Sequence, residues 1–252
     1  MEIKVTGIVI REFPFRETSK IIHLLTRELG RISVMVQGAY RNGSRLGSIT
    51  QLFSMGHFYL SEGRNMYYLR EVDLNSTNYG IRCNLNRLLI ASYLTEIIEK
   101  TAYNYGDDHK IFDMFIVALK DLACRKKNFL SLLVAFELKW TALTGYRVQL
   151  LMCSECGVQV GSNMIFSIFS GGLVCNRCRG TKRGYPISQD EIDAMVLMLY
   201  TPFKSIDEMK FSRKILFKLH DLMESYILYH IEQSSFSSSR LLRELIETDK
   251  GE

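Results

Sequence analysis

Four cysteines have the number and spacing of a metal site. They form two C-x-x-C pairs separated by eighteen residues: Cys153, Cys156, Cys175 and Cys178. Each pair places two thiolates on one tight turn, and this spacing is typical of a site in which four thiolates bind one zinc ion. Gly157 and Gly180 follow the two pairs and permit the turns. Because four thiolates leave no coordination position for water, we predict one structural Zn²⁺ ion rather than a catalytic one.

The sequence between the two cysteine pairs resembles short strands joined by a turn. Met164–Phe169 alternates in polarity, and Ser170-Gly-Gly leads into a second apolar run. We therefore predict a zinc ribbon over residues 147–185. The alternatives are two disulfides or a redox-active dithiol. The remaining cysteines, Cys83 and Cys124, lie in helical patterns as expected core residues, which favours a reducing compartment and thus the metal.

The composition is that of a folded globular protein. Of 252 residues, 47% are apolar and 23% are charged. This length suits one large domain or two to three small ones. We find neither a membrane-spanning apolar run nor a signal peptide, and so predict a cytoplasmic protein.

The first 80 residues alternate in polarity with a period of two. Five strands are predicted, with the first long and interrupted by Gly7, at residues 3–13, 20–26, 31–37, 48–60 and 65–74. A long, bent first strand followed by four more favours a five-stranded OB-type barrel. A two-layer sandwich is the alternative, since periodicity does not separate the two folds.

From Asn84 onward the apolar period changes to that of a helix. Helices are predicted at about residues 85–98, from Asp107 to 122, at 128–144, from a capping box at Ser188 to 199, at 212–232 and at 240–247. The predicted fold class is α+β multidomain. An OB-fold domain spans 1–80, and an all-α domain spans 81–252 and is interrupted by the zinc ribbon at 147–185.

Two basic regions indicate a nucleic-acid ligand. The barrel loop, Gln37–Gly47, contains Tyr40, Arg41, Arg45 and three glycines, and no carboxylate occurs between Glu28 and Glu62. A mobile loop of this composition can follow a phosphate backbone and stack one base on its tyrosine. The ribbon cluster lies at the second cysteine pair and comprises Arg177, Arg179, Lys182 and Arg183. The alternative for both regions is a solvated surface with incidental charge.

The distribution of charge follows the same division. The chain carries a net charge of +5, and residues 147–185 hold five basic and one acidic residue. Residues 186–252 hold eight basic and twelve acidic residues.

We find no P-loop, no dinucleotide fingerprint, no G-x-S-x-G and no H-E-x-x-H motif, so an enzyme is not predicted. A protein adaptor without direct DNA binding is the alternative function. A metal-dependent hydrolase would need an open metal position, which four thiolates deny.

The order of these parts resembles the bacterial RecO recombination-mediator family. The resemblance rests on the opening TGIVIREFPFRETSKIIHLLTRELGR, on QGAYR in the barrel loop, on the ribbon within helices and on the tail SRLLREL. It implies an OB fold, binding of single- and double-stranded DNA, annealing of complementary strands and association with the nucleoid. It also implies partnership with RecR, contact with the C-terminal tail of single-strand-binding protein and, indirectly, loading of RecA in the RecFOR pathway. Carried onto this chain, it implies DNA contacts at Arg41 and Arg45, and at Arg16, Lys20 and Arg31.

Overall fold

A computed structural model describes residues 2–101, 109–161, 163–180 and 183–248. The chain divides into two compact units, Met1–Cys124 and Arg125–Glu252. Two long helices that follow the barrel lie in the first of these units, and the predicted domain boundary at residue 80 stays a prediction.

The first unit begins with a closed five-stranded barrel, which confirms the OB-type prediction. Its strands follow the order β1-β2-β3-β5-β4 and are β1 (Glu2–Phe15), β2 (Ser19–Thr26), β3 (Gly30–Val36), β4 (Met55–Glu62) and β5 (Tyr67–Ser76). The first half of β1 pairs with β4, and a bulge between Val9 and Arg11 directs the second half along β2. Alternate residues such as Val9, Leu24 and Phe58 fill the barrel and are fully buried.

One predicted strand was too long. Residues 48–54 do not continue into β4; helix α1 (Leu46–Ile49) occupies part of this stretch. Short apolar runs do not distinguish a strand from a helical turn, and here the chain must turn from the barrel loop into β4.

The described part of the first unit contains three further helices after the barrel: α2 (Tyr79–Arg82), α3 (Leu85–Thr101) and α4 (His109–Cys124). Glu99 of α3 contacts basic side chains of the barrel, and Asp113 of α4 forms a bidentate pair with Arg27. These contacts attach both helices to the barrel. The predicted helix start at Asp107 and Asp108 lies outside the described residues.

Helices of the second unit surround the ribbon in sequence. They are α5 (Phe129–Leu143), α6 (Asn176–Arg179), α7 (Gln189–Tyr200), α8 (Phe203–Ile206), α9 (Arg213–His230) and α10 (Ser239–Thr248). The apolar face of α5 packs against α7, α8 and α9. The capping box at the start of α7 is confirmed, since Ser188 and Glu191 exchange hydrogen bonds between side chain and backbone.

The ribbon lies in the second unit as a small three-stranded sheet. Its strands are β6 (Ile165–Ser167), β7 (Gly172–Val174) and β8 (Tyr185–Pro186), with β6 in the centre. Gln149 bridges to Gly172, and Met152 bridges to Gln159. The first bridge connects the segment with the first cysteine pair to β7, which precedes the second pair, and the second bridge closes the turn that carries the first pair.

Two cysteines are placed differently from the prediction. Cys83 and Cys124 are exposed rather than part of the core, because each lies at the C-terminal end of a helix. Their surroundings thus give no support to the inference of a reducing compartment. None of the helices in the described ranges combines the length and apolar character needed to cross a bilayer.

Candidate metal centre and nucleic-acid interface

The four ribbon cysteines converge on one point. Their sulfur atoms lie within 4.8 Å of one another, and the Sγ atoms of Cys156 and Cys175 are 3.8 Å apart. Cys153 and Cys175 are buried, Cys178 is half-buried and Cys156 is exposed. This group can hold a metal ion at the edge of the ribbon.

Local backbone geometry explains the convergence. The N–H of Gly157 donates to the carbonyl of Cys153, and the N–H of Cys178 donates to the carbonyl of Cys175, so each pair closes one turn. Gly157 and Gly180 leave these turns with φ of +71° and +43°, a region that strains residues with a β-carbon. The N–H of Ser154 donates to the carbonyl of Leu173 and holds the two turns together.

Polar contacts distribute charge unevenly over the four sulfurs. Burial disfavours the Cys153 thiolate, but backbone N–H groups, beginning with that of Cys175, outweigh it and lower the pKa of Cys153 to about 6. The hydrogen bond with Cys156 and burial raise the pKa of Cys178 to about 12. Four sulfurs this close repel one another once ionised, so a bound cation is needed to hold all of them as thiolates.

The barrel loop is folded against the end of the β1–β2 hairpin. The N–H of Tyr40 donates to the carbonyl of Thr18 at 3.0 Å, and the N–H of Gly38 donates to Ser19 Oγ at 3.3 Å. Within the loop, the N–H of Ser44 donates to the carbonyl of Arg41. These hydrogen bonds attach the barrel loop to the end of the hairpin, and the mobility of its remaining residues stays a prediction.

Four of the predicted DNA-binding side chains share this end of the barrel. Arg16 lies in the β1–β2 turn, and Tyr40, Arg41 and Arg45 lie in the barrel loop; all four are exposed. None of the three arginines forms an ion pair with a residue that the structure describes. Glu17, also exposed in the turn, is the one carboxylate within these two segments.

Lys20 and Arg31 are less exposed than these four side chains. Only 1% of Lys20 is exposed, and its ammonium donates to Glu12 at 2.6 Å and to the carbonyls of Thr50 and Gly47. It closes the base of the barrel loop from inside. Arg31 is mostly covered and faces the carboxylate of Glu99 at 3.8 Å. The burial of Lys20 thus contradicts the prediction that this side chain contacts DNA.

The members of the ribbon cluster have different surroundings. Arg177 lies beside Cys156 and Cys175, whose hydrogen bonds and charge raise the pKa of its guanidinium. Arg179 lines a cavity of about 450 Å³ between the ribbon and the start of α7. Arg183 is exposed, and Lys182 lies outside the described residues. Arg179 and Arg183 are therefore the described members of the cluster that remain open to an anion.

Sequence reasoning missed a second group of charged residues on the barrel. Arg11 and His23, on β1 and β2, meet the carboxylate of Glu99 on α3. Arg11 and Glu99 are 88 residues apart, and no local pattern connects them.

Comparison with known proteins decides the family. The family model described as recombination protein O N terminal matches residues 1–78, and the model described as recombination protein O C terminal matches residues 82–240. The chain belongs to the RecO family. The resemblance noted from the opening strands, the barrel loop and the ribbon is thereby confirmed.

Several curated relatives of the RecO family match over most of their length. The DNA repair protein RecO of Alkaliphilus metalliredigens is 26% identical over 97% of this chain and 100% of that protein. The DNA repair protein RecO of Bacillus pumilus is 31% identical over 81% of this chain and 78% of that protein. That of Listeria monocytogenes is 30% identical over 69% and 68%. Membership of a DNA repair family agrees with the exposed arginines at the end of the barrel.

Proposed function

We propose that this chain is a DNA-binding recombination mediator that anneals complementary strands. The observation that carries the proposal is the cluster formed by Arg16, Tyr40, Arg41 and Arg45 at one end of the barrel, in a chain of the RecO family. These side chains are exposed, and the arginines have no carboxylate partner among the described residues. A surface of this kind binds phosphates without reading base sequence.

Annealing requires no bond chemistry, and the proposed surface suits this task. Two complementary strands repel each other through their phosphates, so a protein that neutralises some of the charge lets them approach. The bases must stay free to pair. Tyr40, which is 48% exposed, offers one ring on which a base can stack, and this leaves most bases unclamped.

The four cysteines are proposed to hold one structural Zn²⁺ ion. A tetrahedral ion with Zn–S bonds of about 2.3 Å separates its sulfurs by about 3.8 Å, which fits the separation of Cys156 and Cys175. Thiolates are the donors that zinc prefers in closed sites. Bound zinc supplies positive charge that holds the ribbon together. The chain itself contributes the two turns that carry the cysteines to this site, and it places Arg177 beside Cys156.

Further partners follow from the family and belong to this proposal. We propose that RecR binds this chain, that the C-terminal tail of single-strand-binding protein recruits it, and that together they help RecA load onto coated DNA. The ribbon cluster is proposed as a second DNA contact, through Arg179, Lys182 and Arg183. The four proposed metal ligands are Cys153, Cys156, Cys175 and Cys178.

The salt dependence of DNA binding tests the barrel surface. Arg41→Ala with Arg45→Ala is expected to weaken binding to oligonucleotides of any sequence and to lower the slope of log K against log salt by about two. Lys4→Ala with Lys120→Ala is the matched control, because it removes the same charge from exposed positions elsewhere in the first unit. Equal slopes for both double variants would show that the barrel loop is only a solvated turn, as the adaptor alternative requires.

A further inference from the structure

Basic side chains from three neighbouring strands surround a buried carboxylate of α3. Glu99 is 6% exposed; it accepts from Arg11 Nε at 2.5 Å and lies 3.6 Å from His23 Nδ1 and 3.8 Å from an amino nitrogen of Arg31. Two guanidinium groups, of Arg11 and Arg31, thus face one carboxylate. His23 Nδ1 is buried and forms no hydrogen bond with the described residues.

The register of the sheet places these groups on the outer face of the barrel. Arg11 pairs with His23, and His23 pairs with Ser33, so one row of side chains crosses β1, β2 and β3. Phe13 lies two residues beyond Arg11 on the same face of β1. Its ring is 42% exposed and meets the His23 ring edge-on, with centroids 5.2 Å apart.

The pair between Arg11 and Glu99 is only partly shielded. The Arg11 side chain is 49% exposed, whereas the Glu99 side chain is covered. A ligand can therefore reach the guanidinium but not the carboxylate. An exposed guanidinium and an exposed aromatic ring on one strand are the two elements that bind the phosphate and the base of a single strand.

We propose that the outer face of β1 at Arg11 and Phe13 is a binding site for single-stranded nucleic acid, and that Glu99 sets its affinity by competing with the phosphate for Arg11. On binding, Arg11 exchanges the Glu99 carboxylate for a phosphate oxygen. Glu99 keeps His23 and Arg31 as neighbours, so its charge remains compensated. The base adjacent to that phosphate stacks on Phe13.

This site extends the proposed DNA-binding surface from the barrel loop along β1. Arg11 and Arg16 lie on the same hairpin, five residues apart, which corresponds to roughly 17 Å of strand. A single strand that contacts the barrel loop can thus continue along β1. The inference rests on the proposed function, because it concerns a further part of the same DNA-binding surface and its regulation.

Binding of fluorescent oligo-dT to the full chain, measured by anisotropy, tests the competition. Glu99→Gln keeps the size of the side chain and removes its charge, so affinity is expected to rise roughly tenfold. Glu96→Gln is the matched control, because Glu96 lies one turn earlier on α3 and pairs with Lys100 instead. A similar rise in both variants would show a general effect of net charge and would overturn the competition.

Two substitutions at the exposed positions test the site independently of the fold around Glu99. Arg11→Gln is expected to lower the salt slope by about one. Phe13→Leu is expected to weaken oligo-dT binding roughly tenfold and to leave binding of blunt duplex unchanged, since a paired base does not stack on the ring. Unchanged oligo-dT binding in both variants would refute the site. If the unaltered chain shows no salt-dependent binding to oligo-dT, the proposed function itself fails.

Discussion

At the scale of single residues, burial separates arginines and lysines that look alike in sequence. Lys20 and Arg16 lie four residues apart near the same turn, yet Lys20 is enclosed and Arg16 is exposed. The difference arises because Arg16 lies in the turn between β1 and β2, whereas Lys20 lies on β2 with its ammonium covered by the base of the barrel loop. A basic residue near the proposed DNA-binding loop is thus not necessarily a DNA contact.

Substitution of Lys20 is expected to affect folding rather than DNA binding. Lys20→Met removes the ion pair with Glu12 and leaves the carbonyls of Thr50 and Gly47 without their donor, so the free energy of unfolding should fall by about 3 kcal/mol. Urea denaturation measures this change. Arg41→Ala is the control, with an expected change within about 0.5 kcal/mol. A Lys20→Met protein of normal stability with a flattened salt slope would contradict this assignment.

At the scale of elements, the ribbon depends on its four cysteines for cohesion. Its three strands contain two or three residues each, and the apolar area they bury is small. The bridge from Gln149 to Gly172 and the hydrogen bond from Ser154 to Leu173 tie the first turn to the strand before the second, but both turns carry the clustered cysteine sulfurs. A metal ion held by the four cysteines would therefore supply much of the free energy that folds this module.

Loss of one metal ligand is expected to unfold the ribbon. Metal analysis of the purified protein should give one zinc ion per chain. The Cys156→Ser protein should lose this ion and be less soluble than the parent. Cys83→Ser is the matched control, since Cys83 is exposed and belongs to the other unit. A fully folded parent protein with clearly less than one equivalent of zinc would be inconsistent with a structural role.

Helices α5 and α9 are joined by a buried ionic contact. His220 Nδ1 lies 2.8 Å from Glu137 Oε1, and both side chains are fully buried. Burial disfavours the charged imidazole, but the carboxylate of Glu137, with help from Glu224 and Asp221, outweighs burial and raises the pKa of His220. The charged pair thus contributes to the packing of α5 against α9.

The stability of the second unit is expected to depend on pH through this contact. Because the folded-state pKa of His220 is raised, its contribution is complete below the unfolded pKa of about 6.5 and is lost as pH rises through the folded value. Glu137→Gln should lower the free energy of unfolding by about 3 kcal/mol at pH 6 and reduce its decline at higher pH. Urea denaturation between pH 6 and 9 measures both effects. Glu208→Gln, at an exposed position, should behave as the parent does.

At the scale of the whole molecule, positive charge is found in both units. The first unit has the exposed arginines of the barrel loop, and the second has Arg179 and Arg183 on the ribbon. Annealing needs two strands to be partly neutralised at once. A protein with two basic surfaces is suited to this requirement.

Charge reversal on the ribbon is expected to impair annealing. Lys182→Glu with Arg183→Glu should slow the pairing of complementary oligonucleotides at low salt at least tenfold, while single-strand binding by the barrel persists. A fluorescence-quenching assay of pairing measures the rate. Lys126→Glu with Lys127→Glu is the matched control, since both lysines are exposed in the same unit. An unaltered rate in the ribbon variant would assign DNA binding to the barrel alone.

The sequence by itself determined the features whose causes lie within a few residues. The spacing of the cysteines predicted the cluster at Cys153 and Cys175, and alternating polarity predicted the barrel strands. The capping box at Ser188 predicted the start of α7. These features were readable because a turn, a strand or a helix end is specified by neighbouring residues.

The tertiary structure alone decided which charged residues are open to a ligand. Arg11 meets Glu99 across 88 residues, and Lys20 meets the carbonyl of Thr50 across 30. Contacts at such separations arise from packing of whole elements, and no periodicity or motif records them. The division into compact units after Cys124 likewise depends on which elements pack together, and no sequence pattern marks it. An apolar helix face shows that a partner exists, but only packing selects which one.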